Sequence, residues 1–167
     1  KGSVVMSPAL GATATLDLNG RTETINGLTG TSAGTMVIDN SSATASTLIV
    51  GGNDLAANFN GSITRTGGGG LSLGKIGVAT ATFAGPANVT GFDVQAGALK
   101  LTGGITAPNA ITSVVVAAGG LLQLYDGVGA AMPNLNTLNL GAGTGIATLE
   151  LEAGDLGSDT MTSSAAA

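Results

Sequence analysis

The side chains of this sequence that could do chemistry are almost all oxygen-bearing. Histidine and cysteine are both absent. Ser-His-Asp and Cys-His arrangements therefore cannot be built, disulfides cannot form, and zinc lacks its usual ligands. The lack of cysteine permits any redox compartment. Carboxylates remain. Glu150 and Glu152 alternate with Leu149 and Leu151, which puts both on one face of a strand. Two such groups could divide acid and base work on a glycosidic bond, or hold a cation. A solvated strand face has the same spacing, and since exposed charge is the ordinary state of glutamate, that reading is preferred. Gly51-Gly52-Asn53-Asp54 and Asp39-Asn40 carry the hard oxygens calcium takes. A nonapeptide calcium repeat needs its glycines and aspartate at recurring positions, and one poor match does not supply them, so both read as turns. The Gly67–Gly70 run lacks the Lys-Ser/Thr of a phosphate loop and reads as a corner. Asn40-Ser41-Ser42, Asn60-Gly61-Ser62 and Asn88-Val89-Thr90 match the glycosylation triplet at the level of chance. No catalytic, cofactor-binding or metal-binding residue is assigned, and no cofactor is expected.

Charge narrows the partners. The net charge is −5, charged residues are 9% of the 167, and the five bases, Lys1, Arg21, Arg65, Lys75 and Lys100, are scattered. No basic patch faces a phosphate backbone, so no nucleic-acid partner is expected. No run of about 18 apolar residues occurs, so no membrane span is expected. One tyrosine and no tryptophan leave little surface for stacking on sugar rings. The start, Lys1-Gly2-Ser3-Val4-Val5-Met6, lacks a signal peptide's long apolar core, as a mature or excised chain would.

The elements that must position these residues are short strands. Aromatics are 2%, glycines number 29, and hydrophobic residues reach 43%. That is too little charge and aromatic mass for an ordinary enzyme of this length, and too much aliphatic surface for disorder. The stretch from Gly70 to Leu101 shows the pattern best. Leu71-Ser72-Leu73 and 79–83 alternate, 85–91 turns, and Phe92-Asp93-Val94 and Ala98-Leu99-Lys100-Leu101 alternate again. Alternation over such spans marks strands with one face inward. Further strands are expected at 12–19, 22–26, 35–39, 46–50, 58–64, 112–117, 121–125, 134–140 and 146–151. Asn19-Gly20, Asn26-Gly27, 28–34, 51–54, 67–70 and 103–109 are expected corners, and 126–133 is the longest irregular piece. No stretch sustains a helical period.

Leucines two residues apart recur at Leu16/Leu18, Leu71/Leu73, Leu99/Leu101, Leu122/Leu124, Leu138/Leu140 and Leu149/Leu151. Their spacing falls mostly in the range of roughly 20–30 residues expected for one coil of a solenoid. No coil can bury its apolar side alone, so stacking must supply the core. Roughly seven coils at about 4.8 Å each would make a rod about 35 Å long. A β-sandwich would favour hairpins and larger core aromatics, so parallel coils are the better fit.

Two blocks resemble the repeat of the autotransporter-associated β-strand repeat (passenger-associated transport repeat) proteins. The first is Leu16-Asp17-Leu18-Asn19-Gly20 with Ile25-Asn26-Gly27-Leu28-Thr29-Gly30. The second runs from Gly70-Leu71-Ser72-Leu73-Gly74-Lys75 through Thr82-Phe83-Ala84-Gly85 and Asn88-Val89-Thr90-Gly91 to Val94-Gln95-Ala96-Gly97-Ala98-Leu99-Lys100-Leu101. The likeness is good from Leu16 to Leu101, best over 70–101, and looser to Leu151. Val89 stands where an aromatic is usual, and Gly91-Phe92-Asp93 where Gly-Gly-Thr is common. The resemblance implies a right-handed parallel β-helix in a secreted or surface-displayed bacterial protein, and no enzyme.

The expectation is thus an all-β, right-handed parallel β-helix over 1–167, a single solenoid domain or a segment of a longer one. Its role would be an extracellular scaffold or adhesive fibre, with copies of itself or surface glycans as partners. The alternative is a glycan-binding or polysaccharide-degrading β-helix. The leucines of the pairs above, with Phe83 and Val94, should point inward, and Asp17, Lys100, Gln123, Asn139 and Glu150 outward. Asn19, Asn26, Asn53, Asn60, Asn88 and Asn109 should bond their copies in neighbouring coils. Neither end offers a polar or helical cap, so a continuing β-helix or head-to-tail stacking is expected.

Overall fold

A strand of three to five residues buries only two or three side chains, too few to be stable alone. Each must be covered by its counterpart one turn further along. The chain, seen in a computed structural model, does this as a parallel β-solenoid of about six turns. The structure describes residues 1–107, 110–125, 135–141 and 145–151, and, as backbone alone, 131–134, 153–154, 157–158 and 160–163.

The first three turns each lay down three strands. They are β1 (Val4–Met6), β2 (Thr13–Asp17) and β3 (Thr22–Thr24); β4 (Leu28–Gly30), β5 (Thr35–Asp39) and β6 (Ser46–Val50); and β7 (Ala57–Phe59), β8 (Ser62–Thr64) and β9 (Leu71–Lys75). Next come β10 (Thr80–Phe83) and β11 (Gly91–Val94), β12 (Gly97–Leu101) and β13 (Ser113–Val116), then β14 (Gly120–Leu124), β15 (Ala131–Leu135) and β16 (Thr137–Leu140). After them run β17 (Thr148–Leu151), β18 (Ala153–Gly154), β19 (Gly157–Ser158) and β20 (Thr160–Ser163). One face is the parallel sheet β1-β4-β7-β10-β12-β14-β17, and another is β3-β6-β9-β11-β13-β16. The remaining face, β2-β5-β8, continues as single parallel bridges from Ile63 to Ala87 to Ile105. β20 pairs parallel with β15, whereas β18 and β19 form an antiparallel pair.

In-register stacking makes columns. Leu28, Ala57, Ala81, Leu99, Leu122 and Leu149 form one inward column. In the next, Phe59 and Phe83 meet edge to face with centroids 6.2 Å apart, a favourable aromatic geometry. The predicted inward residues Leu18, Leu71, Leu73, Phe83, Val94, Leu99, Leu101, Leu122 and Leu124 are buried, and Leu16, Leu149 and Leu151 are half-buried against the core. Leu138 and Leu140 differ. They occupy inward columns, below Val114 and Val116, yet are 48% and 46% exposed. Among the described residues their strand is the outer one of its sheet, so no described strand covers one side of each column. Asp17 and Asn139 are exposed, and Lys100, Gln123 and Glu150 half-buried on the outer side.

Several boundaries depart from expectation. Leu28–Gly30 lies in the expected 28–34 corner but is a strand, because Val4–Met6 and Ala57–Phe59 flank it in register. The 134–140 strand divides at Asn136, where the backbone crosses from one element to the next. Residues 131–133 of the expected irregular piece belong to β15, and 126–130 lie outside the described residues. The asparagine ladder is not formed as expected. Asn19 and Asn53 instead supply left-handed backbone at corners, with φ of 44° and 53°, a conformation asparagine tolerates. Asn88 accepts from Arg65, and Asn26 bonds the Lys1 carbonyl. Asn109 lies outside the described residues.

Candidate functional site

Three polar clusters sit on this frame. The first grows from the ends of β2 and β5, where Asp17, Asp39 and Thr64 stack in register. The Asp17 carboxylate accepts from its own turn, at the Asn19 N–H, and from the next turn, at the Ser41 N–H and hydroxyl. Asp39 repeats the device one turn on, accepting from the Thr64 hydroxyl at 2.7 Å and from the Thr66 N–H and hydroxyl. Burial raises the Asp39 pKa, but the bonds from Thr66 and Thr64 outweigh it and leave the carboxyl below its ordinary value. Asp17 is lowered too, by Ser41.

Asn40 lies beside them, fully buried. Its Oδ1 accepts from Gly20 N and Ser42 N, and its Nδ2 donates to Thr44 O and Gly70 O. One side chain thus ties three consecutive turns. The Asp39 and Asn40 side-chain oxygens, which looked like calcium ligands, accept from protein donors. The Gly67–Gly70 corner packs on the same turns, and a Cβ at Gly67 would stand 2.2 Å from the Ser41 carbonyl oxygen. The glycines there allow close approach of backbone to backbone, as expected of a corner. Of the glycosylation triplets, Asn40 is sealed inside, Asn88 is engaged by Arg65, and Asn60 is exposed.

The second cluster surrounds Lys75, which sequence reasoning counted only as a scattered base. Val50, Lys75 and Val94 stack in register, so the lysine stands in an apolar inward column and is fully buried. Its Nζ donates to the carbonyls of Ile76 at 2.5 Å, Gly77 at 2.6 Å and Ala96 at 3.4 Å. An ammonium has three protons and this corner offers three carbonyls. Burial pushes its pKa below the ordinary lysine value, opposed by the Asp54 carboxylate. Asp54 itself accepts from Val78 N at 2.9 Å and so closes the same corner. The signal was present: Leu71, Leu73 and Lys75 share one parity, which puts the lysine inside.

The third cluster holds Glu150, one of the two carboxylates weighed for acid and base work. Lys100, Gln123 and Glu150 stack outward in register. Gln123 Nε2 donates to Glu150 Oε2 at 2.6 Å, and the Tyr125 hydroxyl to the same oxygen at 3.3 Å. Glu152, the proposed partner of Glu150, lies outside the described residues. No known family, curated protein or solved structure matches the chain. What the described residues bring together is therefore a set of coil-to-coil staples, with one open polar ladder, Lys100-Gln123-Glu150, on an outer face.

Proposed function

We propose that the chain is a structural module, a β-helical scaffold or adhesive segment of a secreted or surface-displayed bacterial protein, in the manner of the repeat proteins it resembles. It is proposed not to be an enzyme. The observation that supports this best is where the polar side chains spend their hydrogen bonds. Asp17, Asp39, Asn40 and Lys75 all direct them to a neighbouring turn or to the corner beside it, so the polar chemistry of these residues serves the stack. Copies stacking coil on coil into a filament are the further form of this reading. Negative-stain images of the purified chain should show short rods, and labelling of intact source cells should stain without permeabilisation. Globular particles or staining only after lysis would count against it.

The second reading is a glycan-binding or glycan-cleaving face, favoured by the outward ladder with Tyr125 beside it. Incubation with neutral and acidic polysaccharides tests it directly. Turnover or binding that disappears in Glu150→Gln would replace the scaffold reading with this one.

A further inference from the structure

Three corners of the stack carry an asparagine followed by glycine: Asn19-Gly20, Asn26-Gly27 and Asn60-Gly61. Such a pair can react with itself. The glycine nitrogen gives up its proton to solvent base and attacks the asparagine Cγ; the bond from Cγ to the side-chain nitrogen breaks and ammonia leaves. Water then opens the cyclic imide at one of its two carbonyls, leaving aspartate or isoaspartate. One water is consumed and one ammonia released, with nothing oxidised or reduced. Glycine suits the step because it has no Cβ to block the approach. A folded chain permits the reaction where the carboxamide is free to turn, the glycine N–H has no partner, and water has access.

Two of the corners fail these conditions. At Asn19-Gly20 the carboxamide is exposed, but the Gly20 N–H donates to Asn40 Oδ1 at 3.0 Å, and Asn40 is fully buried. The attacking nitrogen is held. At Asn26-Gly27 the carboxamide is held instead: its Nδ2 donates to the Lys1 carbonyl and its Oδ1 packs on Gly52. Asn26 is half-buried and Gly27 buried. Asn60-Gly61 meets all the conditions. Asn60 is exposed, and among the described residues neither its carboxamide nor the Gly61 N–H makes a hydrogen bond. The Asn60 N–H, bonded to the Gly30 carbonyl at 2.9 Å, takes no part in the reaction. Packing also demands the glycine, since a Cβ at Gly61 would stand 2.2 Å from the Met36 carbonyl oxygen and 2.6 Å from Phe59 Cζ. The corner thus requires the reactive glycine and leaves the side chain before it unheld. From this we propose that Asn60 is a site of spontaneous deamidation in the folded chain, and that the fold shields Asn19 and Asn26 through the contacts just named. The inference does not depend on the scaffold reading.

Incubation of the native chain in mildly alkaline buffer, and in parallel in concentrated urea, tests this. Peptide mapping by mass spectrometry locates each amide that has become a carboxyl. In urea the three pairs are expected to convert at similar rates. In the folded chain Asn19 and Asn26 should fall at least about tenfold behind Asn60, roughly the factor that one hydrogen bond contributes. Ion exchange of the folded chain should show an acidic species accumulating, and Asn60→Gln should abolish it. Asn40→Ala releases the Gly20 N–H, so in that variant, with circular dichroism to verify the fold, Asn19 should speed up by more than Asn26. Asn19 or Asn26 converting as fast as Asn60 in the folded wild type overturns the inference, and so does an Asn60 as slow as they are. An Asn19 rate unchanged in folded Asn40→Ala overturns the shielding half of it. If Asn40→Ala does not fold, the wild-type map alone decides.

Discussion

At the residue scale, two buried polar side chains matter most, and they act in opposite ways. Asn40 satisfies every bond it makes with backbone from three turns. Asn40→Ala would take the side-chain partner from the Gly20 and Ser42 N–H groups and from the Thr44 carbonyl, while the Gly70 carbonyl keeps the Ser46 N–H. Each such group costs about 1–3 kcal/mol when it cannot reach water, so a total loss of roughly 2–4 kcal/mol is expected after partial relaxation. Urea denaturation of the variant measures it, with Asn60→Ala, at an exposed corner, as a control expected to change by less than about 0.5 kcal/mol. Lys75 is a charge that burial opposes. Its folded pKa lies below the ordinary 10.5, so between the two values the unfolded chain keeps a proton that the folded chain has released. Stability must then rise with pH across that interval. The penalty on the ammonium is present at neutral pH and is lifted as the pH climbs toward 10.5. The urea midpoint of the wild type, less that of Lys75→Met at the same pH, is expected to increase from neutral pH to 10.5. A decreasing difference would mean that the three carbonyls hold the ammonium more strongly than burial opposes it.

At the scale of the element, the strand is a short row whose inward members stack with the same members one turn away. Leu99 illustrates this: it is fully buried between Ala81 and Leu122. The alanine at 81 leaves room that the leucine fills. Leu99→Ala would follow Ala57 and Ala81 with a third alanine in the same column and open a cavity, for which a loss of roughly 2–5 kcal/mol is expected. A measured loss well below that range would show that the turns above and below close on the gap. Alternation made most strands legible in the sequence, because leucines two residues apart, Leu71/Leu73 in β9, Leu99/Leu101 in β12 and Leu122/Leu124 in β14, mark the inward side. β4 was not legible. Three residues, Leu28-Thr29-Gly30, cannot establish a period, and only the pairing with β1 and β7 makes them a strand. Asn40 was taken for a turn residue, which is what its sequence context shows. That its amide reaches two other turns depends on the rise of the stack, which no local pattern encodes. Lys75 was misjudged for a different reason: its charge argued for the surface while its parity argued for the interior, and the carbonyls of a corner more than one turn long decided between them.

At the scale of the whole molecule, stability is close to a sum over neighbouring turns. The same leucine pattern therefore has different consequences at different heights. Leu99 and Leu101 have a turn on either side and are buried, whereas Leu138 and Leu140, with the same spacing, lie on an outer strand and are half exposed. Sequence period shows which way a side chain points, and the number of covering turns decides whether it is buried. The staples follow the same logic, since Asp17 and Asp39 each hold the turn that comes after them. Opening in such a stack should begin where a turn has one neighbour and proceed inward. Amide exchange on the native chain is then expected to be slowest in β9 to β12 and to quicken toward β2 and β3, whose residues are mostly exposed or half-buried. Asn40→Ala makes the gradient specific. Its amide joins the first, second and third turns, so the variant should speed exchange in β2, β3 and β5 while leaving β12 and β14 at their wild-type rates. Uniform acceleration across all the strands would show instead that the turns open as one unit and that the nearest-neighbour picture of this stack is wrong.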